Sequence, residues 1–195
     1  MNHPVPDPIA AYRDALAAAF ERETSDPTAA TLATVGEDGK PSARVVLIKG
    51  ADERGFSFYT NLGSRKASEL KNNPDVALCV HWPAGAEQIR IEGRVSPVSD
   101  AEADAYFASR VRGSQIGAWA SQQSATLSSR EALEDAVREV EARYVGKPVP
   151  RPPHWSGFLV APTRIEFWFG RDNRLHDRFL YTRHGDGWSC ERLYP

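Results

Sequence analysis

The chain has 195 residues, of which 41% are hydrophobic, and its 24 basic residues nearly balance 26 acidic ones to leave a net charge of −2. This is enough apolar material for a single domain over residues 1–195, and the charge balance excludes a general nucleic-acid surface, which needs a clustered basic excess. No apolar run reaches membrane-spanning length, the opening Met1–Pro8 lacks a signal peptide's basic start and apolar core, and Cys79 and Cys190 lack metal-ligand spacing, so a soluble cytoplasmic protein with reduced thiols and no metal is expected.

Residues 1–6 read as a short flexible tail. Asp7-Pro8 then supplies a cap and a proline at the first helical position, and Ile9, Tyr12, Leu16 and Phe20 recur at helical spacing up to Ser25-Asp26-Pro27. Strands follow at Ala30–Val35, Ala43–Ile48 and Phe56–Thr60, separated by the turns Gly36–Gly39 and Ala51–Gly55. A short helix over Arg65–Leu70 ends before Asn72-Asn73-Pro74. Next come a strand at Val76–His81 and another at Gln88–Glu92, with Ile89 and Ile91 inward.

Capping boxes at Ser99–Glu102 and Ser128–Glu131 open two helices, the first running to about Arg110. The second shows one apolar stripe, Leu133, Val137, Val140 and Tyr144. Between them lies a polar, small-residue segment, Ser114–Ser124, around Trp119. After the stiff Val149–Pro153 connector, strands are expected at Gly157–Ala161, Arg164–Phe169, Arg174–Thr182 and Trp188–Leu193. Consecutive antiparallel strands with inserted helices and no βαβ rhythm predict an α+β fold built on an antiparallel barrel.

Three places concentrate cations. In the last hairpin, strand alternation would put Arg174, His176 and Arg178 on one side, near Trp168, with Leu175 and Phe179 in a core. This row either holds an anionic planar ligand or is a solvated polar face. Gly63-Ser64-Arg65-Lys66 sets two cations at a helix start, where free N–H groups and the dipole favour an anion. Tyr106, Arg110 and Ser114 recur every fourth residue and would share one face if the helix persists, giving a phosphate clamp; otherwise Arg110 offsets a helix C-terminus. Arg44 and Lys49 are an odd number of positions apart, so they face opposite sides unless a bulge intervenes. No activated nucleophile, Walker loop or Gly-x-Gly-x-x-Gly is present, which points to chemistry done by a cofactor.

The runs Arg44–Lys49, Phe58–Lys66, Ser114-Gln-Ile-Gly-Ala-Trp119 with Gln123-Ser124, Ile165–Trp168 and Arg174-Leu-His-Asp-Arg178 together resemble the pyridoxine/pyridoxamine 5′-phosphate oxidase family over about Asp7–Pro195. The resemblance implies an FMN-binding split-barrel homodimer with the cofactor at the subunit interface. It implies FMN contacts from Arg44, Val45, Val46, Leu47, Ile48, Lys49, Tyr59, Thr60, Arg65, Lys66, Gln88, Gln123, Ser124, Trp168 and Arg178. It further implies a substrate phosphate held by Lys49, Tyr106, Arg110 and Ser114, with Arg174 and His176 as catalytic residues at the pyridine ring.

The implied reaction is oxidation of pyridoxamine or pyridoxine 5′-phosphate at C4′ to pyridoxal 5′-phosphate, with hydride passing to flavin N5 and dioxygen reduced to hydrogen peroxide. Arg174 is expected to cover the substrate ring and fix it against the flavin. Family members often have a longer basic, tyrosine-containing segment ahead of the first helix, where this sequence has Met1–Pro6. Alternatives are a related flavin oxidase of a non-phosphorylated aromatic, as in phenazine synthesis, and a non-catalytic FMN or pyridoxal phosphate carrier.

Overall fold

The computed structural model describes residues 5–195. Helix α1 (Pro8–Arg22) begins where Asp7 accepts the Ile9 N–H and Pro8 presets the first helical φ. Ile9 and Tyr12 are buried, whereas Phe20, expected on the same stripe, is 58% exposed. Of the expected tail, residues 1–4 lie outside the described residues; Val5 is held, its N–H donating to the Tyr181 hydroxyl at 2.9 Å.

Strands β1 (Ala29–Val35), β2 (Pro41–Asp52), β3 (Gly55–Asn61), β4 (Asp75–Trp82), β5 (Glu87–Pro97) and β6 (Trp155–Phe169) pair antiparallel in the order β3-β2-β1-β4-β5-β6, and β3 also pairs with β6. The sheet thereby closes into a six-stranded barrel, an arrangement that leaves no edge among those strands. Strands β7 (Asp177–His184) and β8 (Gly187–Leu193) continue the sheet beyond β6. Leu32, Phe56, Phe58, Leu78, Ile89, Ile91, Val160 and Ile165 fill the interior, which confirms the inward placement of Ile89 and Ile91.

The sequence suggested two strands across residues 157–169, but there is one, of 15 residues. The expected gap is a bulge: register shifts between Glu92 and Gly93, which face Arg164 and Pro162 and leave Thr163 as the extra residue. Gly93 is required there, because a Cβ would come within 2.2 Å of the Ala161 carbonyl oxygen.

The other helices are α2 (Arg65–Asn72), α3 (Asp100–Ser109), α4 (Arg112–Ala120) and α5 (Arg130–Arg143). The Ser99/Glu102 capping box forms as expected, whereas α5 is capped by Ser129 rather than Ser128. Helix α4 was not expected; Gly113, Ser114 and Gly117 weaken its helical signal. Phe107, Ile116, Val140, Val149 and Trp155 make a second, smaller core between α3–α5 and one end of β6. No helix among the described residues is long and apolar enough to cross a membrane, and Cys79 and Cys190 are free thiols.

Candidate active site

A cleft of about 420 Å³ lies between the barrel wall at β2–β3 and the helical layer. Its floor is the outer face of β2. Alternation along that strand buries Val46 and Ile48 and turns Val45, Leu47 and Lys49 outward. Val45 and Leu47 are exposed, an apolar strip suited to a planar ring. The register shift between Ile48 and Gly50 falls at Lys49, which reaches the cleft and donates to Thr28 Oγ1 at 3.3 Å. Arg44 points to the other side, so alternation does separate it from Lys49.

One corner of the cleft gathers Lys49, Tyr106, Arg110 and Ser114. The expected continuous helix does not exist. Helix α3 stops at Ser109, Arg110 takes an extended conformation, and α4 restarts at Arg112. Tyr106 from α3, Arg110 from the extended connection and Ser114 from α4 therefore reach the cleft around this break. Tyr59, Tyr106 and Trp155 stack behind them, with Tyr59 4.0 Å from Tyr106 and 5.4 Å from Trp155 between ring centroids. The Arg110 guanidinium lies 4.9 Å over Trp155, and its Nη1 is buried without an acceptor. Burial pulls the Arg110 pKa down, opposed by Tyr106, and burial raises that of Tyr106.

The second corner is built around Lys66, itself buried. Its ammonium donates to Thr60 Oγ1 at 3.0 Å, Gln123 Oε1 at 2.9 Å and Ser64 Oγ at 3.3 Å. Burial, and then the nearby Arg44, lower its pKa. Ser124, in the left-handed region at φ 74°, accepts the Arg65 N–H at 3.2 Å. Among the described residues, Lys49, Lys66 and Arg110 have no carboxylate within 4.0 Å.

Arg44 and Arg65 are instead tied to Glu69, a buried carboxylate that the sequence reading overlooked, although Arg65 and Glu69 have i,i+4 spacing. Thr34 and Ser42 also donate to Glu69. Burial would raise its pKa, but these four partners outweigh that and hold it at about 2. Ile48 packs inward and does not line the cleft.

The remaining candidates lie elsewhere in the chain. Gln88, Trp168 and Arg178 are direct cross-strand partners on β5, β6 and β7. Glu166 accepts from Arg178 Nε at 2.7 Å and from Arg90 at 3.1 Å, which ties Arg178 to β6. Here the sequence expectation needs correction: strand β7 begins at Asp177, so Arg174 and His176 are not on it. They belong to the turn before it, where Asn173 and Arg174 both have positive φ (55° and 62°) and Leu175 is 68% exposed instead of buried. His176 still reaches Trp168, with ring centroids 4.5 Å apart. None of these five residues lines the cleft.

Known proteins resemble this chain over nearly its whole length. A family model described as pyridoxamine 5′-phosphate oxidase matches residues 16–144, and one for the pyridoxine 5′-phosphate oxidase C-terminal dimerisation region matches residues 155–195. The pyridoxine/pyridoxamine 5′-phosphate oxidase of Anaeromyxobacter dehalogenans is 60% identical over 97% of this chain and 96% of its own. That of Rubrobacter xylanophilus is 54% identical, over 97% and 88%. Among solved structures, PhzG from Burkholderia lata 383, in complex with tetrahydrophenazine-1-carboxylic acid, is 34% identical and superimposes with a TM-score of 0.92 over 100% of this chain and 95% of that one.

Barrel, cleft and these likenesses define an oxidoreductase of the split-barrel flavoprotein class. The chain belongs to the pyridoxamine 5′-phosphate oxidase family.

Proposed function

We propose that the chain oxidises pyridoxamine 5′-phosphate and pyridoxine 5′-phosphate at C4′ to pyridoxal 5′-phosphate, with FMN as cofactor and dioxygen reduced to hydrogen peroxide. The observation that carries this reading is the buried, unpartnered Arg110 Nη1 beside Lys49, Tyr106 and Ser114. A desolvated guanidinium N–H without an acceptor is costly unless a ligand anion supplies one.

The chain's residues fit FMN. Lys66, Arg65, Thr60, Gln123 and Ser124 offer a cationic, hydrogen-bonding corner for its phosphate, and Arg44 stands behind them. The apolar strip of β2 suits its ring. Gln88, Trp168 and Arg178 provide amide, indole and guanidinium groups for the ring's edge. Bound FMN would supply the two-electron acceptor that no side chain here can replace.

Lys49, Tyr106, Arg110 and Ser114 would then hold the substrate phosphate, and Arg174 would cover the pyridine ring. Their main contribution is orientation, which brings the reacting carbon to a fixed position. Trp155, in the cleft, and Trp168, in the row, are thirteen positions apart on β6, roughly 40 Å of extended chain. One copy therefore cannot bring its own cleft and row together along this strand. We read the working unit as a homodimer in which each cleft faces the row of the partner, as the match to a dimerisation region supports.

The likeness to PhzG favours a second reading, a flavin oxidase of a non-phosphorylated aromatic acid. Comparing peroxide release by FMN-loaded protein on pyridoxamine with and without its 5′-phosphate separates the two. Turnover only with the phosphate is expected; equal turnover of both, or of neither, would overturn the proposal.

A further inference from the structure

Arginines around the cleft and the row are held in two ways. Arg44 directs its N–H groups into the protein, to the Leu32 carbonyl at 3.3 Å, to Thr34 and Ser42, and to Glu69 at 3.0 Å. Arg178 is likewise engaged, through Nε by Glu166 at 2.7 Å and through Nη1 by the Tyr194 carbonyl at 3.0 Å. Arg110 is held by rings instead. Its guanidinium carbon lies 4.9 Å from the Trp155 ring centroid and 5.6 Å from that of Phe107, while Nη1 has no acceptor. A guanidinium stacks through its flat faces and donates through a fork of N–H groups in its plane. Contact through a face leaves the fork unused, whereas a carboxylate would take the N–H groups that an incoming anion needs.

The indole is fixed from several directions. Trp155 opens β6, where its N–H donates to the Pro152 carbonyl at 3.0 Å. Its own carbonyl accepts from Arg151 Nη1 at 2.9 Å, and Arg151 pairs with Asp100 at 2.7 Å and Asp104 at 2.5 Å. Both carboxylates belong to α3, the helix that carries Tyr106 and ends beside Arg110. Arg151 therefore ties the backbone of Trp155 to the helix that leads into Arg110. Phe107 meets the indole edge-on at 5.1 Å, and Tyr59 lies parallel to it within 5° at 5.4 Å. Gly157 leaves room for the Tyr59 ring, since a Cβ there would come within 2.6 Å of Tyr59 Cδ1.

We propose that Trp155 is the positioning residue of the anion corner, holding Arg110 by its face so that the N–H fork stays open to a ligand's phosphate. The proposal rests on the reading of this corner as the substrate-phosphate site. Trp155 offers the anion no charge of its own and acts through Arg110. At 5% exposure it could equally be a plain core residue, for which any apolar side chain of fair size would serve. The two roles differ in what they demand: packing needs volume, whereas the corner needs an aromatic face.

Side-chain ¹H–¹⁵N NMR on [¹⁵N]arginine-labelled protein, with and without FMN, reads this directly, with inorganic phosphate as the probe. The Arg110 signal is assigned by its loss in Arg110→Met. Ring current shields protons above an indole, so the Arg110 Hε should lie upfield of an exposed arginine's and move saturably as phosphate is added. An unshielded signal, or no response to phosphate, would overturn the proposal. Trp155→Phe keeps a face and should bind phosphate within about threefold of wild type, whereas Trp155→Leu keeps apolar volume alone and should bind about tenfold more weakly. Wild-type affinity in the Leu variant, or equal loss in both, would refute the role of the face. A loss of about tenfold in the Phe variant alone would also refute it, so the outcome does not depend on the Leu variant folding. No turnover is involved. A wild-type protein that binds phosphate at Arg110 yet fails to oxidise pyridoxamine 5′-phosphate would sink the oxidase reading and leave this one standing.

Discussion

The Arg110 guanidinium lies 4.9 Å above the indole of Trp155 and buries its Nη1 with no acceptor. The protein thus tolerates an unsatisfied charged donor at a site that stability alone would not select. Replacing it by a methionine of similar length should leave thermal stability unchanged or raise it, since an orphaned buried donor costs about 1–3 kcal/mol. KM for the phosphorylated substrate should rise about 10- to 100-fold with little change in kcat, the mark of lost uniform binding. A calorimetric scan and steady-state kinetics on Arg110→Met test both halves.

If each cleft faces its partner's row, two damaged chains should repair one another. Arg110→Ala removes a cleft residue, and Arg174→Ala a turn residue near the row. Assayed at substrate concentrations well below the raised KM of the Arg110 variant, each homodimer should show only a small fraction of wild-type activity. After unfolding and refolding of an equal mixture, half the dimers are mixed and each retains one intact site, giving roughly a quarter of wild-type activity for a two-fold dimer. No recovery on mixing would show that both residues serve the same chain's site.

Glu69 sets an acid limit. In the folded chain its carboxyl is held at about 2 against an ordinary 4.5. On unfolding the group binds protons more readily, so its contribution is complete above about pH 4.5 and is lost as pH falls toward about 2. Urea midpoints measured at descending pH should therefore fall through that window. In Glu69→Gln the fall should be shallower, from a neutral-pH stability lower by about 3 kcal/mol, because Arg44 and Arg65 lose their anion.

Gly93 governs the bend of β5 against β6. A Cβ there meets the Ala161 carbonyl oxygen at 2.2 Å and the Pro162 Cα at 2.8 Å, both backbone atoms that cannot step aside cheaply. Gly93→Ala should destabilise by about 1–3 kcal/mol, measured as a lower denaturation midpoint at unchanged slope.

The barrel was largely legible because its determinants are local. Ile89 and Ile91 alternate, Asp7-Pro8 caps, and Ser99 and Glu102 form their reciprocal pair. The misreadings share a cause: a periodic pattern was extended past a break in the backbone. Tyr106, Arg110 and Ser114 look like one helical face but meet across the end of one helix and the start of another. Arg174, His176 and Arg178 look like one strand face, yet the first two occupy a turn whose left-handed residues are an asparagine and an arginine. Gly170 precedes that turn, but neither of its left-handed positions is a glycine. Glu69 and Glu166 escaped notice because a buried carboxylate is recognised by its partners, and these come from distant segments such as Thr34 and Ser42, or Arg90 and Arg178. The candidate site residues themselves were named through family resemblance, since composition and spacing alone left each cluster ambiguous.

Strand β6 has a consequence for how such a site can change over time. It runs unbroken from Trp155 to Phe169 and bonds to β3, β5 and β7 along its length. In the proposed homodimer it would act as a ruler, setting the distance at which a cleft and a row are offered to a neighbour. Loops around it can lengthen or shorten without disturbing that measure. Insertion of a single residue between Ser156 and Phe167 would reverse every face beyond it and remove Trp168 from its row with Gln88 and Arg178. Variation in this strand should thus run through substitution and almost never through changes of length.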